Sequence, residues 1–265
     1  MSDKPAPMVS ADIPHSARIW NYWMGGKDNY EIDRIVGDKS LEIDPDIATM
    51  AVQSRQFLIR AARYVATECG IRQFLDIGTG LPTMQNTHAV AQGVAPESKV
   101  VYVDNDPTVL AHARALLTNT TDEGVTDYVD ADFNNPEQIV TDARNILNFT
   151  KPVAVMFMGV LGHAQSYEGM RRIVSTVMDA VPLGSYLIFW DGTTDSQAYV
   201  TLCEEYTKTG GAPYTPRPRD QIRSVFDGLE LVDPGVVSIT KWRVDDTNVG
   251  ETRPISAYGG VARKP

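Results

Sequence analysis

Short apolar runs alternate with segments of helical periodicity from about residue 73 to the end of the chain. Five of these runs are rich in valine or isoleucine, which is typical of strands buried on both faces of a parallel sheet. They are Gln73–Ile77, Lys99–Val103, Val125–Val129, Val153–Met158 and Ser185–Trp190. Two further strands are expected at Leu229–Ser238 and Ile255–Lys264. The β-α-β-α order predicts an α/β fold with a Rossmann-like, doubly wound sheet.

The segments between the strands carry signals for the start and end of helices. Asp106-Pro107 and Asn135-Pro136 each place a capping side chain before a proline at the first helical position. Helices are also expected over Ser196–Thr209 and Pro218–Asp227, because glycine follows each of these segments.

Upstream of the first strand the pattern changes. Asp44-Pro45 begins a predicted helix with a long apolar stripe, which Gly70 ends, and an aromatic segment, Arg18–Met24, precedes it. The predicted organisation is a disordered tail over residues 1–12 and a single domain over 13–265, divided into a helical cap (13–70) and a Rossmann-like core (71–265).

Charge and composition narrow the class of partner. The net charge is -10, from 34 acidic and 24 basic residues, and an acidic protein repels a phosphate backbone. We therefore expect a small-molecule partner and no nucleic acid. No stretch approaches the ~18 apolar residues of a membrane span, so no membrane contact is expected. Two cysteines, Cys69 and Cys203, cannot form a zinc site alone, and we expect no metal and a reducing, cytoplasmic location.

The first predicted strand ends in an acidic residue and a glycine loop. Asp76 stands two residues before Gly78-Thr79-Gly80, where glycine permits a tight turn and lets a ligand approach the backbone. A helix after such a turn offers free N–H groups to a carboxylate or phosphate. An ordinary strand-to-helix turn is the alternative.

The second and third strands also end in acidic residues. In Asp104-Asn105-Asp106 the last residue is the expected helix N-cap, which leaves Asp104 to accept two hydrogen bonds from a ribose diol. After the third strand, Asp132 can accept from the exocyclic amine of adenine, and Phe133 can offer its backbone N–H or its ring. The alternatives are that the first group only caps a helix and that the second is an acidic turn.

Three such strand ends in succession are more informative than any one of them. Parallel strands bring their carboxyl ends to one edge of the sheet, where a doubly wound fold binds its ligand. A nicotinamide-dinucleotide enzyme also has a glycine turn and a later acid, but Thr83 stands at the third glycine position of that fingerprint. Asp76 has no role toward a dinucleotide, whereas it suits the positively charged amino group of S-adenosylmethionine.

The order Asp76-x-Gly78-x-Gly80, Asp104, Asp132-Phe133 resembles the motif series of class I methyltransferases. More narrowly, the chain resembles an actinobacterial family of S-adenosylmethionine methyltransferases long labelled a domain of unknown function. The stretches that carry this resemblance are Pro14–Tyr30, Phe74–Thr83 and Phe226–Gly235, within a similarity that runs from about Ile13 to the end. One departure is Leu81, which stands where many class I enzymes have a third glycine.

The resemblance implies a single domain with a seven-stranded sheet whose last strand is antiparallel. It also implies S-adenosylmethionine as cofactor and S-adenosylhomocysteine as product. The predicted cofactor-binding residues are Arg18, Tyr22, Gly26, Asp76, Gly78, Thr79, Gly80, Asp104, Asn105, Asp132, Phe133, Met158 and Gly159.

The fourth strand is expected to run past the methyl donor. Met158 and Gly159 at its end are candidates to line the methyl channel, with core packing as the alternative for Met158. The segment lacks the Asn/Asp-Pro-Pro-aromatic signature of amino-directed nucleic-acid methyltransferases, and it has no Pro-Cys for attack on a ring carbon. A small-molecule acceptor is therefore favoured over a nucleobase.

Three residues are candidate general bases. His163 lies in a loop after a strand end and has a pKa naturally near working pH, with a structural role as the alternative. His15 and Asp191 are the second and third candidates. Methyl transfer from a sulfonium depends mainly on positioning, so the lack of a catalytic triad does not argue against an enzyme.

Two segments are candidates to cover the site. We expect the N-terminal cap to close over the cofactor, with Arg18 or Tyr22 contacting its carboxylate and Gly26 in the adjoining turn. Gly210–Arg219 is a candidate acceptor-side lid, with a surface linker as the equal alternative.

The main hypothesis is an enzyme that methylates a small molecule at oxygen or nitrogen. One alternative is a non-catalytic protein that binds S-adenosylmethionine or S-adenosylhomocysteine. The other is an NAD-dependent dehydrogenase.

Overall fold

The computed structural model describes residues 12–82, 85–116, 118–244 and 253–265. The predicted disordered tail lies outside these residues except for Asp12, and so does Thr83. The helices are α1 (Ser16–Trp23), α2 (Glu31–Ile43), α3 (Asp46–Thr67), α4 (Thr87–Val94), α5 (Pro107–Leu116), α6 (Pro136–Ala143), α7 (Tyr167–Ala180), α8 (Gln197–Thr207) and α9 (Arg219–Ser224), with a 3-10 turn at Leu161–His163.

The strands form one mixed sheet. They are β1 (Gln73–Ile77), β2 (Lys99–Asp104), β3 (Val125–Asp130), β4 (Ala154–Met158), β5 (Tyr186–Gly192), β6 (Glu230–Leu231), β7 (Val237–Ser238) and β8 (Ala257–Arg263). Their order is β3-β2-β1-β4-β5-β8-β6, with β7 also paired to β8. The strands β1 to β5 are parallel, and β8 runs antiparallel to β5, as expected.

Helices cover both faces of the sheet, which confirms the doubly wound α/β fold. Because side chains alternate along a strand, Phe74 and Met156 belong to a core shared with α3, α4 and α8. Leu75 and Phe157, one residue further along, belong to a second core shared with α6, α7 and α9. All four side chains are fully buried, which is why these strands consist almost entirely of apolar residues.

The three N-terminal helices pack against this core. The apolar stripe of α3 buries Phe57 against Trp242, with ring centroids 5.5 Å apart at nearly a right angle. On the same helix, the buried Arg60 side chain donates hydrogen bonds to the carbonyls of Trp242 (2.8 Å) and Ile239 (2.6 Å). The helix is therefore joined to the far end of the chain by apolar and polar contacts.

Three sequence expectations change in the structure. The strand β3 is at the sheet edge, so Val129 is its one buried residue and the strand is not buried on both faces. The predicted strand Leu229–Ser238 is two short strands, because Pro234 has no N–H to donate and Gly235 turns the backbone with a φ of 83°. The helix after the glycine loop begins only at Thr87, so its N–H groups do not directly follow Gly80.

Among the described residues, no helix is both long enough and apolar enough to cross a membrane.

Candidate functional site

A cavity of about 340 Å³ opens at the carboxyl ends of the parallel strands. It lies where β1 and β4 are neighbours and the chain continues to opposite sides of the sheet, the usual ligand position in a doubly wound fold. The helices α1 and α3 form its other wall. Of the predicted site residues, the cavity is lined by His15, Asp76, Gly78, Thr79, Gly80, Asp104, Asn105, Asp132, Phe133, Met158, Gly159 and His163.

The glycine loop has a backbone path that requires glycine. Gly78 and Gly80 have φ angles of 74° and 66°, in the left-handed region. A Cβ atom on Gly78 would collide with the Val160 side chain, whereas one on Gly80 would only reach Ala17 of α1, at 4.0 Å. The Thr79 hydroxyl closes the loop by donating to the Asp76 carbonyl at 3.1 Å. The loop therefore passes closely between β4 and the cap.

The Asp76 carboxylate is the most deeply buried charge in the cavity wall. Its Oδ2 accepts a hydrogen bond from the Thr87 hydroxyl at 2.6 Å. Burial raises the pKa of Asp76 to about 6, against the opposing effects of Thr87 and the Arg55 charge. Asp76 makes no ion pair with any residue that the structure describes, so it remains available to a cation in the cavity.

Asp104 holds the second strand end in register with the glycine loop. Its Oδ2 accepts from the Gly80 N–H at 3.0 Å, and its Oδ1 accepts from the Asp106 N–H at 2.9 Å. Burial raises the pKa of Asp104 despite these bonds. Each carboxylate oxygen has a further lone pair, so Asp104 can still accept hydrogen bonds from a hydroxyl-bearing ligand. Asp106 caps α5 through its Oδ1, as predicted, by accepting from the N–H groups of Thr108 and Val109.

The third strand end supplies an aromatic side chain and an acidic turn. Asp132 Oδ1 accepts from the Asn134 backbone N–H at 2.8 Å and from its side-chain amide at 2.9 Å. This turn places Asp132, Phe133 and Asn134 together in the cavity wall. The ring and the polar groups are of the kinds that hold a planar heterocycle.

His163 lies where β4 gives way to the 3-10 turn. Its Nδ1 is 2.7 Å from the carbonyl oxygen of Pro213. A carbonyl only accepts, so Nδ1 carries the proton and Nε2 of the neutral ring is left as an acceptor. Burial lowers the pKa of His163, which favours this neutral form.

Gly159, directly after β4, is another position that requires glycine. A Cβ atom on Gly159 would collide with the Trp190 ring, so β4 ends in close contact with β5.

The comparison with known families decides the family of this chain. Residues 2–265 match the family model described as S-adenosyl methyltransferase. The chain belongs to this family. The cofactor is therefore S-adenosylmethionine, and the family assignment decides against the NAD-dependent dehydrogenase.

Two solved structures resemble this methyltransferase over nearly its whole length. A DUF574 family protein of Streptomyces avermitilis is 40% identical, with a TM-score of 0.90, over 96% of this chain and 99% of that one. A candidate methyltransferase of Thermobifida fusca is 38% identical, with a TM-score of 0.85, over 96% of each chain. An O-methyltransferase family protein of Burkholderia thailandensis shares the fold at 14% identity and a TM-score of 0.53, over 82% of this chain and 59% of that one. None of the curated proteins compared with this chain matches it.

The residues present fit the cofactor of the family. Asp76 is a buried carboxylate that no described cation pairs with, and the cofactor carries an ammonium group. Asp104 can accept further hydrogen bonds, and it lies beside the glycine loop, where a side chain on Gly78 would collide with Val160. Phe133 offers an aromatic ring in the same cavity wall.

Arg18, Tyr22 and Gly26 do not line the cavity, which corrects the predicted contact to the cofactor carboxylate. The cavity face of α1 is formed by Ala17, Trp20 and Met24, at helical spacing. Arg18 and Tyr22 project from other faces of this helix and bind residues of the cap. The Arg18 Nε donates to Asp33 at 2.6 Å, the Tyr22 hydroxyl donates to Asp38 at 2.6 Å, and Gly26 closes against the Asn21 side chain.

The other two candidate bases, His15 and Asp191, are both hydrogen-bonded to other residues of the protein. Nε2 of His15 is 2.8 Å from Asp106 Oδ2, and its Nδ1 accepts from the Ala17 N–H at 3.3 Å. Both ring nitrogens are thus engaged, and the residue ties α1 to the end of β2. Asp191 does not line the cavity, because it is buried in β5 and accepts from Tyr214 and from the Gly192 N–H.

Sequence reasoning missed Arg55, Ser54 and the cavity position of Trp20. All three line the cavity from α3 or α1. Arg55 makes no ion pair with any described residue, and Asp76 is the main anion acting on it. No sequence signal marks Arg55, because it is one charged position within a long amphipathic helix.

The segment Gly210–Arg219 is held tightly against the 3-10 turn. Arg217 is buried and donates to the carbonyls of Leu161 (3.0 Å) and Ala164 (2.8 Å). The Thr215 N–H donates to Gly162 at 2.8 Å. Ala212 of this segment lines the cavity, so the segment is a fixed wall beside His163.

Proposed function

We propose that this methyltransferase transfers a methyl group to an oxygen or nitrogen atom of a small molecule, with His163 as the general base. The observation that carries the proposal is the fixed tautomer of His163, which leaves Nε2 as an acceptor in a residue that lines the cavity. The overall charge of -10 supports a small-molecule acceptor over a nucleic acid.

Each wall of the cavity has a proposed role toward the cofactor. Asp76 holds the ammonium group and Arg55 the carboxylate, because these two side chains are an anion and a cation without ion-pair partners among the described residues. Asp104 accepts from the ribose hydroxyls, assisted by Asn105. Asp132 and Phe133 hold the adenine. The glycine loop of Gly78, Thr79 and Gly80 supports the middle of the ligand, and Met158 and Gly159 line the path to the methyl group.

The chemistry requires little from the protein beyond positioning. When bound, S-adenosylmethionine supplies a methyl group already activated by the sulfonium charge. The residues around His163 exclude water and orient the acceptor, which can lower the barrier by as much as ~7–11 kcal/mol. His163 accepts a proton only when the acceptor atom must lose one.

The test combines binding and turnover. We expect calorimetry to show that S-adenosylhomocysteine binds and NAD does not. Incubation with methyl-labelled S-adenosylmethionine and an extract of small metabolites should transfer the label to a small molecule. Tight binding without any transfer would instead support a non-catalytic cofactor-binding protein, and binding of NAD alone would overturn the assignment of the site.

The His163→Ala variant should separate catalysis from binding. We expect turnover to fall by about 10²–10⁴-fold, the usual contribution of a general base, with cofactor affinity unchanged. His112→Ala is the matched control, since His112 is outside the cavity and lies 3.9 Å from Asp28. Normal turnover in His163→Ala would show that His163 is not the general base and has only a structural role.

We also propose that the protein works in a reducing compartment such as the cytoplasm. Cys69 and Cys203 are free thiols, which is the common state of cysteine in such compartments.

A further inference from the structure

The proposed base, His163, is held by a segment of the chain that is exposed. The Nδ1 atom of His163 donates to the Pro213 carbonyl at 2.7 Å, and the Ala212 carbonyl acts on its pKa in the same direction. Ala212 and Pro213 are both exposed, so burial of their own side chains does not fix these carbonyls. The tautomer of His163 therefore depends on the contacts that anchor this segment.

Tyr214, the residue after Pro213, anchors the segment to the end of β5. Its hydroxyl donates to the Asp191 carboxylate and accepts from the Gly192 N–H at 3.0 Å. A hydroxyl with one donor and one acceptor partner has a defined position. The Pro213 carbonyl belongs to the planar peptide group that joins it to Tyr214. Fixing Tyr214 therefore also fixes the acceptor of the His163 proton.

The Tyr214 ring also packs against the 3-10 turn that carries His163. A Cβ atom on Gly162 would overlap this ring, and the ring meets the His163 ring edge-on with the centroids 5.1 Å apart. The next residue, Thr215, donates its N–H to the Gly162 carbonyl at 2.8 Å. The histidine and the carbonyl that accepts its proton are thus held by the same tyrosine.

Asp191 is an unusual residue for its place in the sheet. It is 1% exposed in a strand of mostly apolar residues, and burial raises its pKa to about 6. The Tyr214 hydrogen bond is the largest effect that opposes this shift, followed by the Gly192 N–H and the Arg217 charge. Burying a carboxylate costs free energy that an apolar residue would not. The buried charge in turn stabilises the Tyr214 hydroxyl in one orientation.

We propose that Asp191 and Tyr214 are a positioning pair that fixes the tautomer of His163. Asp191 holds the Tyr214 hydroxyl, and Tyr214 holds the Pro213 carbonyl, which keeps the proton on Nδ1 and leaves Nε2 free to accept. Neither Asp191 nor Tyr214 lines the cofactor cavity, so both act through His163 and not on the ligand. This inference rests on the proposed function, because that function makes His163 the base.

A second anchor of the segment makes the pair testable. Arg217 donates to the carbonyls of Leu161 and Ala164, on either side of His163, and its backbone N–H donates to the Gly192 carbonyl at 3.0 Å. These bonds do not involve the Tyr214 hydroxyl. Loss of that hydroxyl should therefore release the Pro213 carbonyl while the segment stays folded against the 3-10 turn. A neutral imidazole without a fixed partner exchanges its proton between both nitrogens.

The first test reads the tautomer directly and needs no methyl acceptor. Nitrogen-15 NMR of protein labelled in histidine, at pH 8, distinguishes a protonated from an unprotonated ring nitrogen, and the spectrum of His163→Ala assigns the His163 signals. We expect the unmodified protein to carry the proton on Nδ1 alone. Tyr214→Phe, which keeps the ring, should shift the signals to a mixture of both tautomers.

The control is another hydrogen-bonded tyrosine. Tyr167 is half-buried like Tyr214, but its hydroxyl bonds with Ser224 at 2.5 Å. Tyr167→Phe should leave the His163 signals unchanged. An equal shift in Tyr167→Phe and Tyr214→Phe would contradict a specific role of Tyr214.

Two variants of Asp191 test the other member of the pair. Asp191→Val removes the acceptor and should give the same mixture of tautomers as Tyr214→Phe. Asp191→Asn keeps an acceptor oxygen for the Tyr214 hydroxyl and should retain the Nδ1–H form. Because the two residues act as a unit, the double variant Asp191→Val/Tyr214→Phe should be no worse than either single variant. Additive effects, or an unchanged tautomer in both single variants, would overturn the pair.

The second test relates the tautomer to catalysis. Tyr214→Phe should lower turnover in the labelled-methyl assay about tenfold, the effect of one lost hydrogen bond. The dissociation constant of S-adenosylhomocysteine should stay unchanged, because Tyr214 does not line the cofactor cavity. A mixed tautomer with normal turnover would overturn the role of the pair and of His163 as the base. Failure of S-adenosylhomocysteine to bind the unmodified protein would overturn the proposed function itself.

Discussion

The carboxyl groups of the acidic residues near the strand ends differ in the direction in which their pKa values are shifted. Burial raises the pKa of both Asp76 and Asp104. Burial acts on Asp106 in the same direction, but the hydrogen bond and charge of His15 hold its pKa below the usual range. Asp106 is therefore committed to the structure, whereas the first two carboxylates gain most from a ligand that brings a positive charge or hydroxyl donors.

The raised pKa of Asp76 predicts a pH dependence of cofactor binding. With a pKa of about 6, the carboxyl of the free protein is ionised above this pH and neutral below it. Only the ionised form attracts an ammonium group, so the affinity for S-adenosylhomocysteine should be full above pH 6 and fall as the pH decreases. The fall should approach about tenfold per pH unit, because binding must then release one proton. Arg55 and Asp104 are the charged groups that act on Asp76.

Calorimetry from pH 4.5 to 8 would measure this effect. In Asp76→Asn the affinity should be low at every pH, and the dependence near pH 6 should disappear. A variant that keeps the dependence would assign it to another titrating group.

Replacing Asp104 should weaken cofactor binding without unfolding the protein. Charge-assisted hydrogen bonds contribute about 1.5–3 kcal/mol each, so Asp104→Ala should raise the dissociation constant by about ten- to a hundredfold. Asp130 is its neighbour in register on β3 but does not line the cavity, so Asp130→Ala is the control. An unchanged dissociation constant in Asp104→Ala would remove Asp104 from the site.

At the scale of the elements, the loop between β1 and α4 is shaped by both its neighbours. Its backbone follows positive φ angles at Gly78 and Gly80. Its path is confined on one side by Val160 after β4 and on the other by Ala17 of α1. The proposed binding at this loop therefore depends on the positions of the loop itself, of Val160 after β4 and of α1.

Gly78→Ala should impair both stability and binding. The left-handed conformation costs a non-glycine residue roughly 1–2 kcal/mol, and the added methyl group would collide with Val160. Gly70→Ala is the control, since Gly70 also has a positive φ of 68° but no atom within 4 Å of the added carbon. We expect both variants to melt at a lower temperature and Gly78→Ala alone to lose affinity for S-adenosylhomocysteine in calorimetry. Equal affinities would show that the loop tolerates the methyl group.

At the scale of the whole molecule, the proposed cofactor cavity is lined by segments that are far apart in the chain. The strand ends supply one wall and the helices α1 and α3 the other. His15 joins the two walls through Asp106 at 2.8 Å. A ligand between them should therefore stabilise the cap together with the core.

Cofactor binding should protect α1 as well as the strand ends. At a ligand concentration about 100 times the dissociation constant, linkage predicts a stabilisation of ~2.7 kcal/mol. Each kcal/mol should raise the melting temperature by about 2–4 °C for a domain near this size. Hydrogen exchange with S-adenosylhomocysteine should be slower in α1 and in the glycine loop, but not in α6, none of whose residues lines the cavity. Unchanged exchange in α1 would contradict its role as a wall of the site.

The sequence alone determined the positions of the first five strands and the acidic residues at three strand ends. These features are local, because apolar runs, N-caps and glycine turns depend on neighbours in the chain. The parallel sheet then had to bring Asp76, Asp104 and Asp132 to one edge. The resemblance to class I methyltransferases rested on the same residues. The narrower family resemblance rested on Pro14–Tyr30, Phe74–Thr83 and Phe226–Gly235, and the comparison with known families confirmed it.

The tertiary structure decided which side of each helix faces the ligand. The hydrophobic spacing of α1 could not show that Trp20 lines the cavity while Arg18 pairs with Asp33, since both faces of this helix are covered. Arg55 carries no local signal, and it matters because α3 brings it near Asp76. The tautomer of His163 depends on the Pro213 carbonyl, 50 residues away in the chain. Such contacts between distant segments arise from packing, which the local pattern of residues does not specify.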